Sequence, residues 1–168
     1  MLDTLISERE YLSTAYHPDV DFVDGHIEER NVGEREHGEL QWRVSYLLKR
    51  QRFAAYIETR LKVSATRYRI PDICAYAERQ TDSVLKNPPL LCIEVLSPED
   101  RIHRTARVAE DYLAMGVATV WLLDPLERKA YVVDAIHGLH EVKENIAAAD
   151  GRITFTLEEI FSSEDVFC

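Results

Sequence analysis

No stretch of this chain is apolar for anything near the roughly 20 residues that a membrane-spanning helix requires, so such a helix is not expected. Residues 1–10 lack a basic region leading into an apolar core, so no export signal is expected and a cytoplasmic location is. Cysteine is scarce. The three present, Cys74, Cys92 and Cys168, are an odd number without metal-finger spacing, which fits reduced thiols better than a disulfide framework. Positive charge is in deficit as well: 20 Lys and Arg against 30 Asp and Glu leave a net charge of −10. That balance argues against non-specific coating of nucleic acid, which is driven by basic side chains neutralising phosphates, but it does not exclude an enzyme acting on nucleic acid. Internal repeats and low-complexity tracts are also missing.

What is present is 168 residues with 46% hydrophobic content, enough for one ordinary core, and a single domain over 1–168 is expected. A short helix is predicted around 7–15. Asp24-Gly25 then suits the tight turn of a hairpin between residues 21–23 and 26–28. Leu40, Val44, Leu47 and Leu48 recur at helical spacing over 34–49, and His37 extends their stripe toward the helix start. Residues 54–63 and 66–76 read as two antiparallel strands reversing at Ser64-Ala65. Pro88-Pro89 halts regular structure before an apolar strand over 90–96, and Ser97-Pro98 resembles a helix start. A helix with Ile102, Ala106, Ala109 and Leu113 on one face then stops near Gly116, and a fully apolar strand follows at 120–123. Strand, helix, strand implies a parallel crossover. A peripheral hairpin at 131–134 and 139–142 and a closing helix at 157–161 complete the chain.

Within this order Asp72 and Glu94 stand out, because each carboxylate accompanies an apolar strand and a buried carboxylate is costly unless something positive meets it. Two of them on neighbouring strands suggest a divalent cation, and a divalent cation on two acids suggests phosphodiester chemistry. Mg2+ or Mn2+ would take Asp72, Glu94 and a main-chain carbonyl near Leu96. Cys74 and Cys92 share faces with the two acids and are read as small buried thiols rather than zinc ligands. Without metal the two acids repel, so Asp72→Asn is expected to stabilise the protein modestly. Arg67 and Arg69, with the run from Arg101 through His103 and Arg104 to Arg107, form a local basic strip that could guide a phosphate backbone. For any single arginine among them, a solvated face is the commoner role.

The ordered set of Asp24-Gly25, Glu36-His37, Pro71-Asp72, Glu94-Val95-Leu96-Ser97-Pro98, Tyr112 with Gly116-Val117, and Trp121-Leu122-Leu123-Asp124-Pro125 resembles the Uma-type family of restriction-endonuclease-like proteins over about 22–161. The resemblance implies the PD-(D/E)XK nuclease fold, an α/β (α+β) arrangement with a central mixed sheet flanked by helices. It also implies that Asp72 and Glu94 are the metal-binding acids and that DNA is the substrate. The wider superfamily has a lysine two residues after the second acid, where this chain has Leu96. Relatives of the Uma type usually carry it on the following helix, where this chain has Val108. Arg104, one turn before Val108, and Arg107 are the candidate replacements; either could stabilise a phosphate but not deprotonate water. His37, matching the family's helix histidine, either contacts metal or phosphate or is a satisfied, half-buried histidine. Glu36 and Glu39 are weaker candidates for a helix acid. Trp42, Tyr46 and Tyr131 leave room for a homodimer, which would set two sites on the two strands of a duplex. The rival expectation is a non-catalytic relative that binds nucleic acid or protein, motivated by Val108 and the acidic charge.

Overall fold

The turn at Asp24-Gly25 forms as expected, with φ of 52° and 92°, the double positive φ that a two-residue hairpin favours. The computed structural model of the protein describes residues 5–97 and 102–163, the side chain at position 103 excepted. The hairpin joins β1 (Val20–Val23) to β2 (His26–Glu29), in a register that sets Asp21 opposite Glu28. It follows α1 (Glu8–Ser13), whose cap is Ser7: its hydroxyl oxygen accepts from the Glu10 amide at 3.1 Å. Tyr11 of α1 is fully buried, its ring 5.1 Å from Phe22 and 5.5 Å from Tyr68, so a small aromatic core holds the helix on the hairpin.

After α2 (Arg35–Arg50) come β3 (Ala54–Ile57), β4 (Leu61–Ser64), β5 (Arg67–Arg69) and β6 (Ile73–Tyr76). The two long strands expected over 54–63 and 66–76 are therefore four short ones. Reversal at Ser64-Ala65 is correct, but both arms break midway. One arm breaks at Glu58, which adopts φ 44°, and the other at Pro71, which cannot donate to a ladder. Past the break the pair belongs to a different sheet: β4 and β5 join the hairpin in a four-stranded sheet ordered β2-β1-β5-β4, while β3 and β6 join the main sheet. Asp72 lies at this seam, outside either strand.

The main sheet continues through β7 (Leu91–Val95), then α3 (Ile102–Met115), β8 (Val120–Asp124), β9 (Lys129–Asp134) and β10 (Gly138–Val142). Its six strands are ordered β10-β9-β8-β7-β6-β3, with β7 and β8 parallel and the other neighbours antiparallel, which is the mixed sheet expected. The expected peripheral hairpin at 131–134 and 139–142 forms as β9 and β10 at one edge of this sheet. Gly116, at φ 113°, ends α3 as its position suggested. A short pair, β11 (Asn145–Ala147) and β12 (Thr154–Thr156), was not anticipated; it leads into α4 (Leu157–Phe161), which begins with a capping box between Thr156 and Glu159.

Alternation along each strand divides the core in two. Ile73, Ala75, Leu91, Ile93, Val95, Trp121 and Leu123 pack with Leu40, Val44, Leu47 and Leu48 of α2 on one face. Cys74, Tyr76, Cys92, Val120 and Leu122 pack with Ala109 and Tyr112 of α3 on the other. Cys74 and Cys92 are direct cross-strand neighbours, both buried and free. Burial pushes their thiols upward in pKa, to about 12 for Cys74, so they behave as small apolar fillers. Cys168, Arg101 and the helix start expected at Pro98 lie outside the described residues.

Candidate active site

Glu94, near the end of β7, falls by parity on the α3 face, where Tyr112 meets it: the tyrosine hydroxyl donates to Glu94 Oε1 at 2.6 Å. Asp72 reaches the same place from the seam. Its main-chain carbonyl accepts from the Glu58 amide at 3.2 Å and from Gln41 Nε2 at 2.9 Å, which anchors its backbone to the break after β3 and to α2. Its carboxylate is buried and held by three groups. Oδ2 accepts from the Val95 amide at 2.7 Å and lies 3.2 Å from His37 Nε2; Oδ1 accepts from Arg30 Nη2 at 3.0 Å.

Both acids open onto a cavity of about 500 Å³ between the four-stranded sheet, the seam and α3. Glu94 keeps part of its surface on this cavity but is surrounded by protein elsewhere. That burial, together with the charge of Asp72, pushes its carboxyl well above the usual carboxylate range, against the opposing pull of Arg30 and Tyr112. Burial lowers His37 while Asp72, by hydrogen bond and charge, raises it, and the net result is upward. Gly33 makes the histidine's approach possible: a Cβ at that position would lie 2.5 Å from His37 Cγ.

The two arginines before Asp72 do not form a free basic strip. Arg69 is buried and donates to Asp21 Oδ2 at 3.0 Å, Glu28 Oε2 at 2.5 Å and Asp111 Oδ2 at 2.7 Å. Arg67 donates to Asp24 Oδ2 at 2.6 Å and Asp111 Oδ1 at 2.8 Å. These bonds clasp the hairpin to α3 and occupy both guanidinium groups. Asp21, Asp24, Glu28 and Asp111 between them take up the charge of both arginines.

Of the other residues singled out in the sequence, Arg104 and Arg107 line the cavity at its exposed rim, where Arg104 Nη2 donates to the Glu29 carbonyl at 2.8 Å. Neither is hydrogen-bonded to Asp72 or Glu94. Val108 also lines the cavity while packing into the α3 core. Leu96 is buried, its amide donating to the Leu123 carbonyl at 2.8 Å, and its neighbours Val95 and Ser97 are the ones that line the cavity. Glu36 and Glu39 pair with Arg35 on the outer side of α2. The premise of the expected gain from Asp72→Asn does not hold, because Asp72 is not an uncompensated charge: it has a guanidinium, a histidine and an amide.

Arg30 was missed by sequence reasoning although a signal existed. In the register fixed by the Asp24-Gly25 turn, Asp21 and Glu28 share a face, and Arg30, two residues beyond Glu28, continues it. That is a run of charges on the inner face of a hairpin with only one cation in it. Asp21 was missed for the same reason: buried, with Oδ1 accepting from the Ile70 amide at 3.0 Å, it fixes the approach to Pro71-Asp72.

The profile of a protein family described as "Uma2: Putative restriction endonuclease" matches residues 9–163. The fold is similar to the crystal structure titled as "a putative nuclease belonging to DUF820" from Anabaena variabilis, with a TM-score of 0.78 at 20% identity, covering 94% of this chain and 98% of that one. Among curated proteins none matches.

Proposed function

The chain belongs to the Uma2 family, and from that premise we propose that it is a metal-dependent endonuclease hydrolysing DNA phosphodiester bonds at Asp72 and Glu94, with Mg2+ or Mn2+ as its cation. The observation that carries this reading is the convergence of the two carboxylates on one cavity, with Glu94 driven above the carboxylate range by burial and by its neighbour's charge.

The donor set suits a hard cation. Carboxylate oxygens are the ligands such ions take, and Mg2+ in particular is held by one or two carboxylates with water and substrate oxygens completing its shell. Among the described residues no group of three or more His, Cys, Asp and Glu side chains is poised as a ready-made cage, so the carbonyl near Leu96 and water are the remaining donors. When bound, the ion supplies an acidified water and neutralises charge on the phosphate. The chain's own residues do the rest. Tyr112 fixes one oxygen of Glu94, while the Val95 amide and His37 hold Asp72 so that both carboxylates face the cavity. Arg104 and Arg107 at the rim are suited to contact phosphates flanking the one attacked. The stacked rings of Trp42 and Tyr46 on α2, 5.3 Å apart with Trp42 exposed, offer a surface for a second copy that would bring two sites to a duplex.

Purified protein incubated with varied DNA substrates and Mg2+ or Mn2+ tests the reading. Cleavage is expected, and is expected to vanish in Asp72→Ala and Glu94→Ala; cleavage surviving either change sinks the assigned site. A second reading, a non-catalytic relative that binds nucleic acid or protein, is favoured by Val108 in the lysine's place and by the distance kept by Arg104 and Arg107 from hydrogen bonding to the acids. Calorimetric titration with Mn2+ separates the two, since a binding module has no use for a loaded metal site.

A further inference from the structure

A site that cuts phosphodiesters gains from a fixed positive charge besides its metal, because the transferring phosphoryl group gathers negative charge that a preorganised cation stabilises. Position 96 is leucine and position 108 valine, so neither place where the family resemblance puts a lysine supplies it. Arg67 and Arg69 are fully engaged with Asp21, Asp24, Glu28 and Asp111. Arg104 is turned to a main-chain carbonyl at the rim.

Among the described residues, Arg30 is the one arginine or lysine hydrogen-bonded to either acid, through Nη2 to Asp72 Oδ1 at 3.0 Å. Its side chain is only 17% exposed and lines the cavity. It also lines a second cavity of about 440 Å³, together with Gln41 and Glu58. Burial works against its charge, while Glu94 and then Asp72 hold it firmly cationic. A guanidinium in this position has further N–H groups to offer to a phosphate oxygen while one remains on Asp72.

We infer that Arg30, delivered by the end of the hairpin strand, is the catalytic cation of this site in place of the family's lysine, binding the phosphate oxygens while it stays on Asp72 Oδ1. The inference rests on the nuclease reading above and adds a consequence independent of turnover. A permanent positive charge hydrogen-bonded to one of two metal-binding carboxylates weakens the attraction of that carboxylate for a divalent ion, so the protein trades metal affinity for a charge held ready beside the phosphate.

Arg30→Gln and Arg30→Lys distinguish this role from that of a mere structural ion pair. In Arg30→Gln, Mn2+ binding measured by calorimetry is expected to tighten about tenfold. With saturating Mn2+, kcat on DNA is expected to fall about a hundredfold or more, with KM within about threefold of wild type. Arg30→Lys should keep Mn2+ affinity and hold kcat within about tenfold of wild type, the residual loss reflecting the missing planar fork. Unchanged or weaker Mn2+ binding in Arg30→Gln, or undiminished kcat, overturns the inference. If Arg30→Gln melts below the assay temperature, the lysine variant decides: a hundredfold loss of kcat in a folded Arg30→Lys overturns it. Absence of cleavage by the wild type defeats the nuclease reading itself; the charge assignment is then decided by the affinity measurement alone, with no tightening in Arg30→Gln counting against it.

Discussion

Tyr112 donates its hydroxyl to Glu94 Oε1 at 2.6 Å, tying the middle of α3 to the end of β7. The tyrosine is fully buried, so its hydroxyl has no water to turn to, and the carboxylate gains an orientation it would not hold alone. Tyr112→Phe is expected to cost about 1 kcal/mol in denaturant unfolding, the typical net worth of a hydrogen bond in the interior. Calorimetry should show weaker Mn2+ binding, because Glu94 is then free to turn from the cavity. Unchanged stability and affinity would mean that packing alone orients Glu94.

Asp72→Asn should destabilise the metal-free protein by about 1–3 kcal/mol, since the amide leaves Arg30 and His37 without their anionic partner in a buried place. Relief of repulsion with Glu94 offsets only part of this. Thermal or urea melts in the presence of a chelator measure it, and a gain in stability would show that repulsion dominates after all.

Gly33→Ala is expected to push the His37 ring off Asp72, because the added Cβ would lie 2.5 to 2.9 Å from three atoms of that histidine, including its Cβ. The histidine imidazole resonances, followed by NMR against pH, should move toward those of an unpaired histidine, with a lower pKa than in the wild type. The direction follows from the present upward shift, which the Asp72 hydrogen bond and charge sustain against burial. An unaltered titration would mean that the loop carrying Gly33 yields instead.

Val108→Lys introduces a cation on a cavity-lining position of α3. In wild type it should raise cleavage, and in Arg30→Gln it should restore at least part of the lost kcat, because a lysine there can snorkel its ammonium into the cavity. Cleavage that responds in neither background would remove Val108 as the vacant lysine position.

Much of the fold was legible in the sequence because it follows from local periodicity. The Asp24-Gly25 turn, the α2 stripe of Leu40, Val44, Leu47 and Leu48, the stop at Gly116 and the apolar strands expected at 90–96 and 120–123, found at 91–95 and 120–124, all depend on neighbours within one element. The break of two long strands at Glu58 and Pro71 was less legible. Pro71 alone allows an edge strand or a bulge, and only the docking of the hairpin sheet decides that the ladder changes partner there.

Asp72, Glu94 and His37 could be picked out as chemically notable residues from the chain alone, since an acid ending an apolar strand and a histidine on an apolar stripe depart from their local pattern. Which charges meet was decided by tertiary structure. Arg30 and Asp72 are 42 residues apart and Arg69 and Asp111 are also 42 apart, and each pair forms only when the hairpin sheet packs across the seam and α3 closes over it. Side-chain periodicity is a property of the backbone within one element and can be read along the chain. The pairing of buried charges is set by the desolvation that packing imposes, and that has no signature until the elements are brought together.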